Sequence, residues 1–347
     1  MMTTLRGKAE EVGYLFGKVA KDSIRDIAVS TDPPKDWEVR VKRLERIMEE
    51  VAPHWLEEGE AIAKASGVDF SLILAHNLPS HSDDCTSFIA LSTKDGFPIL
   101  HKNRDFAIQK QSFFIKKIDG CLKFIAGASP LDLGIAYFLN EAGLAGACNT
   151  GGYTDVEPTD ALLDRHIMRL VAEKAKNNRE ALQIVEEMRG RGFLSTEGEN
   201  RGFILLFLDR EGGMVIEYTP KEARWKMASE GMLIRSNSFL LLENKREDIS
   251  SQQRLKRAFE LLGGKGKVKL DDIWETARDR SGSYPICNHN TVSAFSVLLH
   301  PLIPSLSIAF CFPGPPDKVV PFPLSIVAEE TPEELLRGDY WVNPGEV

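Results

Sequence analysis

The chain has 347 residues, 43% hydrophobic and 27% charged, with a formal net charge of −8. These are the proportions of a soluble globular protein with a sizeable core, in one large domain or two ordinary ones. The acidic balance and the lack of any long Lys/Arg run argue against a nucleic-acid or anionic-membrane partner, which needs a basic face. No segment approaches the roughly 18 apolar residues of a membrane span, and the N-terminus lacks a signal peptide's apolar stretch. Five cysteines, Cys85, Cys121, Cys148, Cys287 and Cys311, are odd in number and widely spaced. No disulfide framework is read from them, and a reducing, cytoplasmic setting is expected. No CxxC pair, HExxH, Walker loop or GxGxxG occurs, so no metal or cofactor is expected.

In chain order, residues 36–66 read as helical. Val39, Val41, Leu44, Ile47 and Met48 recur mostly at a spacing of three to four, Pro53 starts or kinks a second helix, and Gly67 ends it. From 85 the texture changes to short apolar runs separated by turns. The runs from 113 to 149 read as antiparallel strands. Helices return at 159–176 and 178–189. FILLFLDREGGMVIEYT reads as a hairpin about Glu-Gly-Gly, and RWKMASEGMLIRSNS as two more strands about Glu-Gly. Ser250 or Ser251 would cap a helix through Leu262, and two more apolar runs lie between 291 and 312. Asn149-Thr150-Gly151-Gly152 reads as a turn. Strands mostly follow strands, which predicts an α+β protein: two antiparallel sheets packed together with helices outside. The one compositional boundary lies near 80–85.

The chemistry concentrates in HSDDCTSFIALSTKDGFPILHKNRDF, residues 81–106. Asp-Gly between two β-like runs predicts a hairpin. With a Lys94-Asp95-Gly96 loop, Asp105 lies opposite Cys85 and Lys102 opposite Phe88; a two-residue loop shifts the register by one and puts Asp105 on the other face. Either brings Lys102, Arg104 and Asp105 within a few residues of Cys85. Nearby positive charge lowers a thiol's pKa, and the thiolate is the nucleophile. Its base is less obvious. His101 neighbours Lys102 and so points to the opposite face, and His81 lies just before the acids. A third base is an α-amine, with a pKa of roughly 7.7–8.0. Cleavage between Asp84 and Cys85 would create one on the nucleophile's own residue.

The segment resembles the nucleophile strand of cysteine-type N-terminal-nucleophile (Ntn) amide hydrolases, closest to the acyl-coenzyme A:6-aminopenicillanic acid acyltransferase family. It is more distantly similar to choloylglycine hydrolases, penicillin V acylases and acid ceramidase. The likeness rests on Cys85-Thr86-Ser87, on Asn103, Asp105 and Phe106, and on Asn140-Glu141-Ala142-Gly143-Leu144 followed by Asn149. It extends to Ser236-Asn237-Ser238-Phe239, to the SSQQRLKRAFELL helix with Arg254, and to ICNHN at 286–290. Two positions depart from the pattern. Lys102 stands where choloylglycine-type enzymes carry arginine, and Asp84 where the acyltransferase has glycine.

The resemblance implies a four-layer αββα sandwich, with residues 1–84 a helical pro-segment and 85–347 the catalytic core. It implies that Cys85 attacks the Asp84 carbonyl, and that the freed Cys85 then attacks a small-molecule acyl amide with its own amine as base. Asn237 and the backbone N–H near Asn149 would hold the oxyanion, and Asp105 the amine or substrate nitrogen. Lys102, Arg104 and Arg254 would contact substrate. No metal, nucleic acid or membrane enters this scheme, and homo-oligomerisation stays open. Two alternatives stand beside it: a non-catalytic fold binding an acylated metabolite, and an uncleaved cysteine hydrolase with His81 or His101 as base. Cys121, Cys148 and Cys311 read as core, and Cys287 with His289 as packing rather than a dyad or half a zinc site.

Overall fold

The computed structural model describes residues 2–30, 33, 35–79, 84–106 and 111–326. His81 therefore lies outside the described residues. After an opening strand come, among the described residues, five helices: α1 (Ala9–Val19), α2 (Lys21–Ser30), α3 (Trp37–Val51), α4 (His54–Ser66) and α5 (Phe70–His76). In α3 the three-to-four spacing turns Val41, Leu44, Ile47, Met48 and Val51 inward, while Val39 faces solvent. Pro53 sits just outside the first turn of α4, where its missing N–H costs nothing. Gly67 closes α4 at a φ of 74°, a left-handed backbone that favours glycine.

Among the described residues the strands form two sheets. The first runs in the order β1 (Met2–Gly7), β4 (Ser112–Ile118), β5 (Phe124–Ala128), β6 (Tyr137–Asn140), β7 (Ala145–Tyr153), β8 (Arg201–Asp209), β9 (Gly212–Tyr218), β10 (Ala223–Ala228). The second runs β11 (Met232–Arg235), β2 (Asp84–Ala90), β3 (Ile99–Asp105), β12 (Thr291–Leu298), β13 (Ile308–Phe312), β14 (Phe322–Ser325). The pairings are antiparallel except that of β1 with β4, which is parallel. That strand is too short and too polar to be read from sequence.

The layers follow from alternation along the strands. In β8, Phe203, Leu205 and Phe207 pack outward against the core that includes Leu170 and Val171 of α6 (Asp164–Lys174). Ile204, Leu206 and Leu208 pack inward against Ile89, Leu100, Phe295 and Val297 of the second sheet. A strand covered on both faces reads as a continuous apolar run, and FILLFL is one. Helix α7 (Asn178–Gly190) covers the first sheet beside α6. Phe88, Ala90 and Ile99 on the outer face of the second sheet meet Ala258 and Leu262 of α8 (Ile249–Leu262) and Ile273 of α9 (Leu270–Ala277). This is the expected αββα sandwich.

Several local expectations are corrected. The two strands expected about Glu-Gly at 230–231 are present but belong to different sheets: β10 pairs with β9, whereas β11 pairs with β2, so the chain there crosses from one sheet to the other. Asn149 to Gly152 lie inside β7, not in a turn, and the register shift between Thr150 and Tyr153 absorbs the irregularity. The two glycines answer a packing need. A Cβ on Gly151 would stand 2.6 Å from the Phe239 ring, and one on Gly152 would also fall within 3 Å of it. Helix α8 is capped by Asp248, whose carboxylate accepts from the Ser251 N–H at 2.9 Å, rather than by a serine. Cys148 and Cys311 are core residues, but Cys121 is half-buried in the turn between β4 and β5.

Candidate active site

The hairpin register decides which side chains can meet. The connection from β2 to β3 spans 91–98, longer than either predicted loop. It sets Asp84 opposite Asp105, Cys85 opposite Arg104 and Ser87 opposite Lys102. Asp105 is thus not opposite Cys85 and Lys102 is not opposite Phe88. Asp105 occupies the other face of the sheet, as the one-residue shift requires. Cys85, Ser87, Lys102 and Arg104 point between the sheets. Asp84, Thr86, His101, Asn103 and Asp105 point toward α8 and α9.

On the inner face, Cys85 is fully buried. The Lys102 ammonium donates to the Cys148 carbonyl on β7. The Ser87 hydroxyl donates to Asn149 Oδ1 at 2.7 Å, and Asn149 Nδ2 donates to the Ser236 carbonyl at 3.0 Å. The side chain of Asn149 therefore fastens β7 to β2 and to the end of β11. Arg104 stacks on the Phe106 ring with its guanidinium 4.4 Å from the ring centre, and donates to Gln111 at 2.8 Å. Its other nitrogen lies 3.6 Å from Asp132, which also faces His76 at 3.2 Å and Arg165 at 3.7 Å. Burial pushes the Cys148 thiol well above its ordinary value, with Asp164 adding to the effect, so this neighbour of Cys85 stays a thiol.

Around the Cys85 backbone, side chains replace strand partners. The β11–β2 ladder ends at Arg235 paired with Ser87. Two residues further along β11's chain, Asn237 accepts the Cys85 N–H through Oδ1 at 2.9 Å, where a backbone carbonyl would otherwise sit. Asn237 Nδ2 donates to the Thr150 carbonyl at 2.7 Å. Fully buried Arg254, from α8, donates to the Cys85 carbonyl at 2.7 Å, to Thr86 Oγ1 at 3.1 Å and to Asn237 Oδ1 at 2.8 Å. Ser251, one turn earlier, accepts the Asn237 N–H at 2.9 Å and binds the Ser236 and Ser238 hydroxyls, so the loop after β11 is tied to α8. Asp84 sits between two guanidiniums, 3.5 Å from Arg254 and 3.7 Å from Arg201.

Asp105 accepts from Thr291 Oγ1 at 2.6 Å and from Asn288 Nδ2 at 2.7 Å. Burial raises its carboxyl to about 6; Arg254 and the two hydrogen bonds pull down and the Asp84 carboxylate adds to the rise. His101 lies on the same outer face, bonded to Ser296 at 2.7 Å and Asn103 at 2.9 Å and stacked on Phe88. Burial lowers its imidazole to about 4, and it faces away from the Cys85 thiol. The ICNHN segment supplies Asn288 to Asp105, while Cys287 donates to Asp317 at 3.1 Å and His289 is exposed. Cys287 packs, as expected.

The structure thus brings Cys85, Asn237, Arg254, Asp84, Lys102 and Asn149 together, with Asp105 behind the sheet and Arg104 turned toward Asp132. Sequence reasoning missed Arg201, Ser251, Thr150 and Thr291. Arg201 left a signal, being a buried arginine heading an otherwise apolar strand. It donates to the Gly151 carbonyl at 2.9 Å, to the Asn237 carbonyl at 3.2 Å and to Asp248 at 3.1 Å.

A buried cysteine at the head of an inner strand of an αββα sandwich, with its main chain held by asparagine and arginine, fits an Ntn-type amidohydrolase or acyltransferase. The model of the acyl-coenzyme A:6-aminopenicillanic acid acyl-transferase family matches residues 91–308, more than half of the chain, and the chain belongs to that family. No curated protein sequence matches it. Among solved structures it is similar to an N-acylethanolamine-hydrolyzing acid amidase ortholog of Caenorhabditis elegans, at 15% identity and a TM-score of 0.45, over 62% of this chain and 92% of that one. It is also similar to penicillin V acylase from Agrobacterium tumefaciens, at 12% identity and a TM-score of 0.44, over 65% and 82%. A mutant conjugated bile acid hydrolase from Clostridium perfringens gives 14% identity and a TM-score of 0.44, over 65% and 88%. Among the described residues no helix is long and apolar enough to cross a membrane.

Proposed function

We propose that the chain is an autoprocessing N-terminal-cysteine amidohydrolase or acyltransferase acting on a linear amide of a small acylated molecule. The observation that carries this reading is the bond from the Cys85 N–H to the Asn237 carboxamide. A backbone nitrogen held by a side chain can become a free amine without breaking a sheet ladder. In processing, the Cys85 thiol adds to the Asp84 carbonyl, the C–N bond to Cys85 breaks, and the nitrogen takes the thiol's proton. Water then cleaves the thioester, leaving an Asp84 carboxylate and an N-terminal Cys85. Residues 1–84 and 85–347 are the two products. The first stays bound, because Val41, Leu44, Ile47 and Trp55 share one core with the first sheet.

In turnover the freed amine takes the thiol proton as Sγ attacks the substrate carbonyl, and returns it to the leaving amine. The acyl-thioester passes to water or to an acceptor amine. The Asn237 carboxamide and the backbone N–H near Asn149 stabilise the oxyanion, with Asn237 Nδ2 turning from Thr150 to do so. Asp105, raised to about 6 mainly by burial, shares a proton with the new amine. Lys102 lies on the thiol's face and Arg254 beside its main chain, in reach of substrate polar groups; Arg104 completes the wall toward Asp132.

The test is the intact mass of freshly purified wild type beside Cys85→Ala. Wild type is expected as two fragments parted between Asp84 and Cys85, and Cys85→Ala as one chain. A single chain in both after long incubation sinks the amine mechanism and leaves an uncleaved thiol enzyme or a binding fold.

A further inference from the structure

Away from the active site, three potential metal ligands of different chemistry converge from distant parts of the chain. His54 opens α4, Cys121 sits in the turn between β4 and β5, and Glu173 lies in the last turn of α6. Their imidazole nitrogen, thiol sulfur and carboxylate oxygen all lie within 4.8 Å of one another. One atom is common to both close contacts: His54 Nε2 is 2.9 Å from Glu173 Oε2 and 3.8 Å from Cys121 Sγ. We propose that this cluster is a structural site for a borderline-soft divalent cation of the zinc type, tying the segment before Cys85 to the first sheet and α6.

The ligand set fits. Imidazole, thiolate and carboxylate are the three ligand types zinc takes, at about 2.0–2.1 Å for nitrogen, 2.3 Å for sulfur and 2.0–2.2 Å for oxygen. A tetrahedral ion with those bonds separates nitrogen from sulfur by roughly 3.6 Å and nitrogen from oxygen by roughly 3.3 Å. The protein is within a few tenths of an ångström of both, so modest side-chain rotation seats the ion. The surroundings already orient the carboxylate: Trp55 Nε1 donates to Glu173 Oε2 at 2.9 Å and Arg169 Nε to Oε1 at 2.8 Å. Such outer donors fix a ligand's direction in metal sites. Arg169 is also paired with Glu58, which binds Lys116 as well, so Glu58 and Glu173 together balance the two cations. Lys117 and Lys174, the other nearby cations, donate to the Cys121 and Val51 carbonyls. His54 and Cys121 are partly exposed, which gives the ion a way in and leaves a fourth position to water. On binding, the Cys121 thiol loses its proton to solvent and bonds as thiolate.

The experiment titrates chelator-treated full-length protein with Co(II), read by absorbance. One equivalent is expected to bind with a thiolate-to-cobalt charge-transfer band that Zn(II) abolishes. Cys121→Ser should lose the band and His54→Ala should weaken binding at least about tenfold, both with wild-type far-UV circular dichroism. Cys287→Ser and Cys85→Ala should keep the band, so the result stands apart from any outcome at the catalytic cysteine. Absence of the band, or its persistence in Cys121→Ser, overturns the proposal. Should Cys121→Ser fail to fold, peptide mapping of wild type after iodoacetamide decides: Zn(II) is expected to protect Cys121, and equal labelling with and without Zn(II) overturns the site.

Discussion

Two largely buried polar clusters of this protein use the same residue types to opposite ends. One joins Glu58, Lys116, Arg169 and Glu173 between the N-terminal helices and the outer face of the first sheet. The other joins Asp84, Asp105, Arg254, Arg201 and Asn237 at the head of β2. In the first, burial would raise Glu173, but the Arg169 charge and the His54 hydrogen bond more than offset it and bring the carboxyl to about 2. Glu58 is likewise held below its ordinary value against burial by Arg169 and Lys116. The two carboxylates there face two cations, Arg169 bridging both and Lys116 pairing with Glu58. In the second, burial wins and Asp105 rises to about 6, because its closest partners are neutral and Arg254 is shared among Cys85, Thr86 and Asn237. A matched cluster holds a fold together. A mismatched one holds a proton near neutral pH, which is what proton transfer needs.

The comparison can be broken at its structural end first. Glu58→Ala removes one partner and leaves Lys116 buried without its carboxylate. It should cost about 3–5 kcal/mol of stability, read from denaturant midpoints, while the proposed processing of folded molecules keeps the wild-type rate. On the proposed mechanism Asn237→Ala should do the reverse, slowing processing and turnover by about 10²–10³-fold, the worth of one oxyanion donor, with a smaller change in stability.

The pH dependence sharpens the contrast, because the two clusters have opposite signs. Asp105 binds its proton more tightly in the folded state than in the unfolded chain. Its stabilisation is full below about pH 4 and is lost as pH rises through about 6, by on the order of 3 kcal/mol. Glu173 is depressed, so its contribution is full above the ordinary carboxylate value and lost as pH falls through about 2. Urea midpoints from pH 4 to 7 should flatten in Asp105→Asn; an unchanged slope would refute the assignment. An ion pair outside both clusters sets the floor. Arg189 and Glu186, about one-third exposed and 2.7 Å apart on α7, should yield no more than about 1 kcal/mol on Arg189→Ala by the same midpoints.

Most of the local structure was legible because it rests on period and punctuation. The three-to-four spacing of α3, Pro53 and Gly67 around α4, and the FILLFL run of β8 report burial and backbone geometry that neighbouring residues set between themselves. Asn140-Glu141-Ala142-Gly143-Leu144 was legible as a motif, and the structure explains why. Asn140 Oδ1 accepts from the Ala142 and Leu144 N–H groups while Gly143 takes a φ of 83°, so the whole turn is written in five residues. Cys85 could be picked out because two acids precede it and cations follow within one hairpin.

The register was not legible. The eight residues from 91 to 98 are too many for a standard hairpin turn, and the ladder is fixed by burial of Ile89 and Leu100 between the sheets. That choice, made by the core and not by Asp95-Gly96, sends Asp105 to the far face. Nor does local sequence say that β10 and β11 belong to different sheets. Arg201, Ser251 and Thr291 reach the site from strands and a helix far apart in the chain, and His54, Cys121 and Glu173 meet across still wider gaps. Periodicity and turn chemistry are local and speak through sequence. Which charged groups end as neighbours is settled only when the layers close, because burial and pairing energies act between residues that share no stretch of chain.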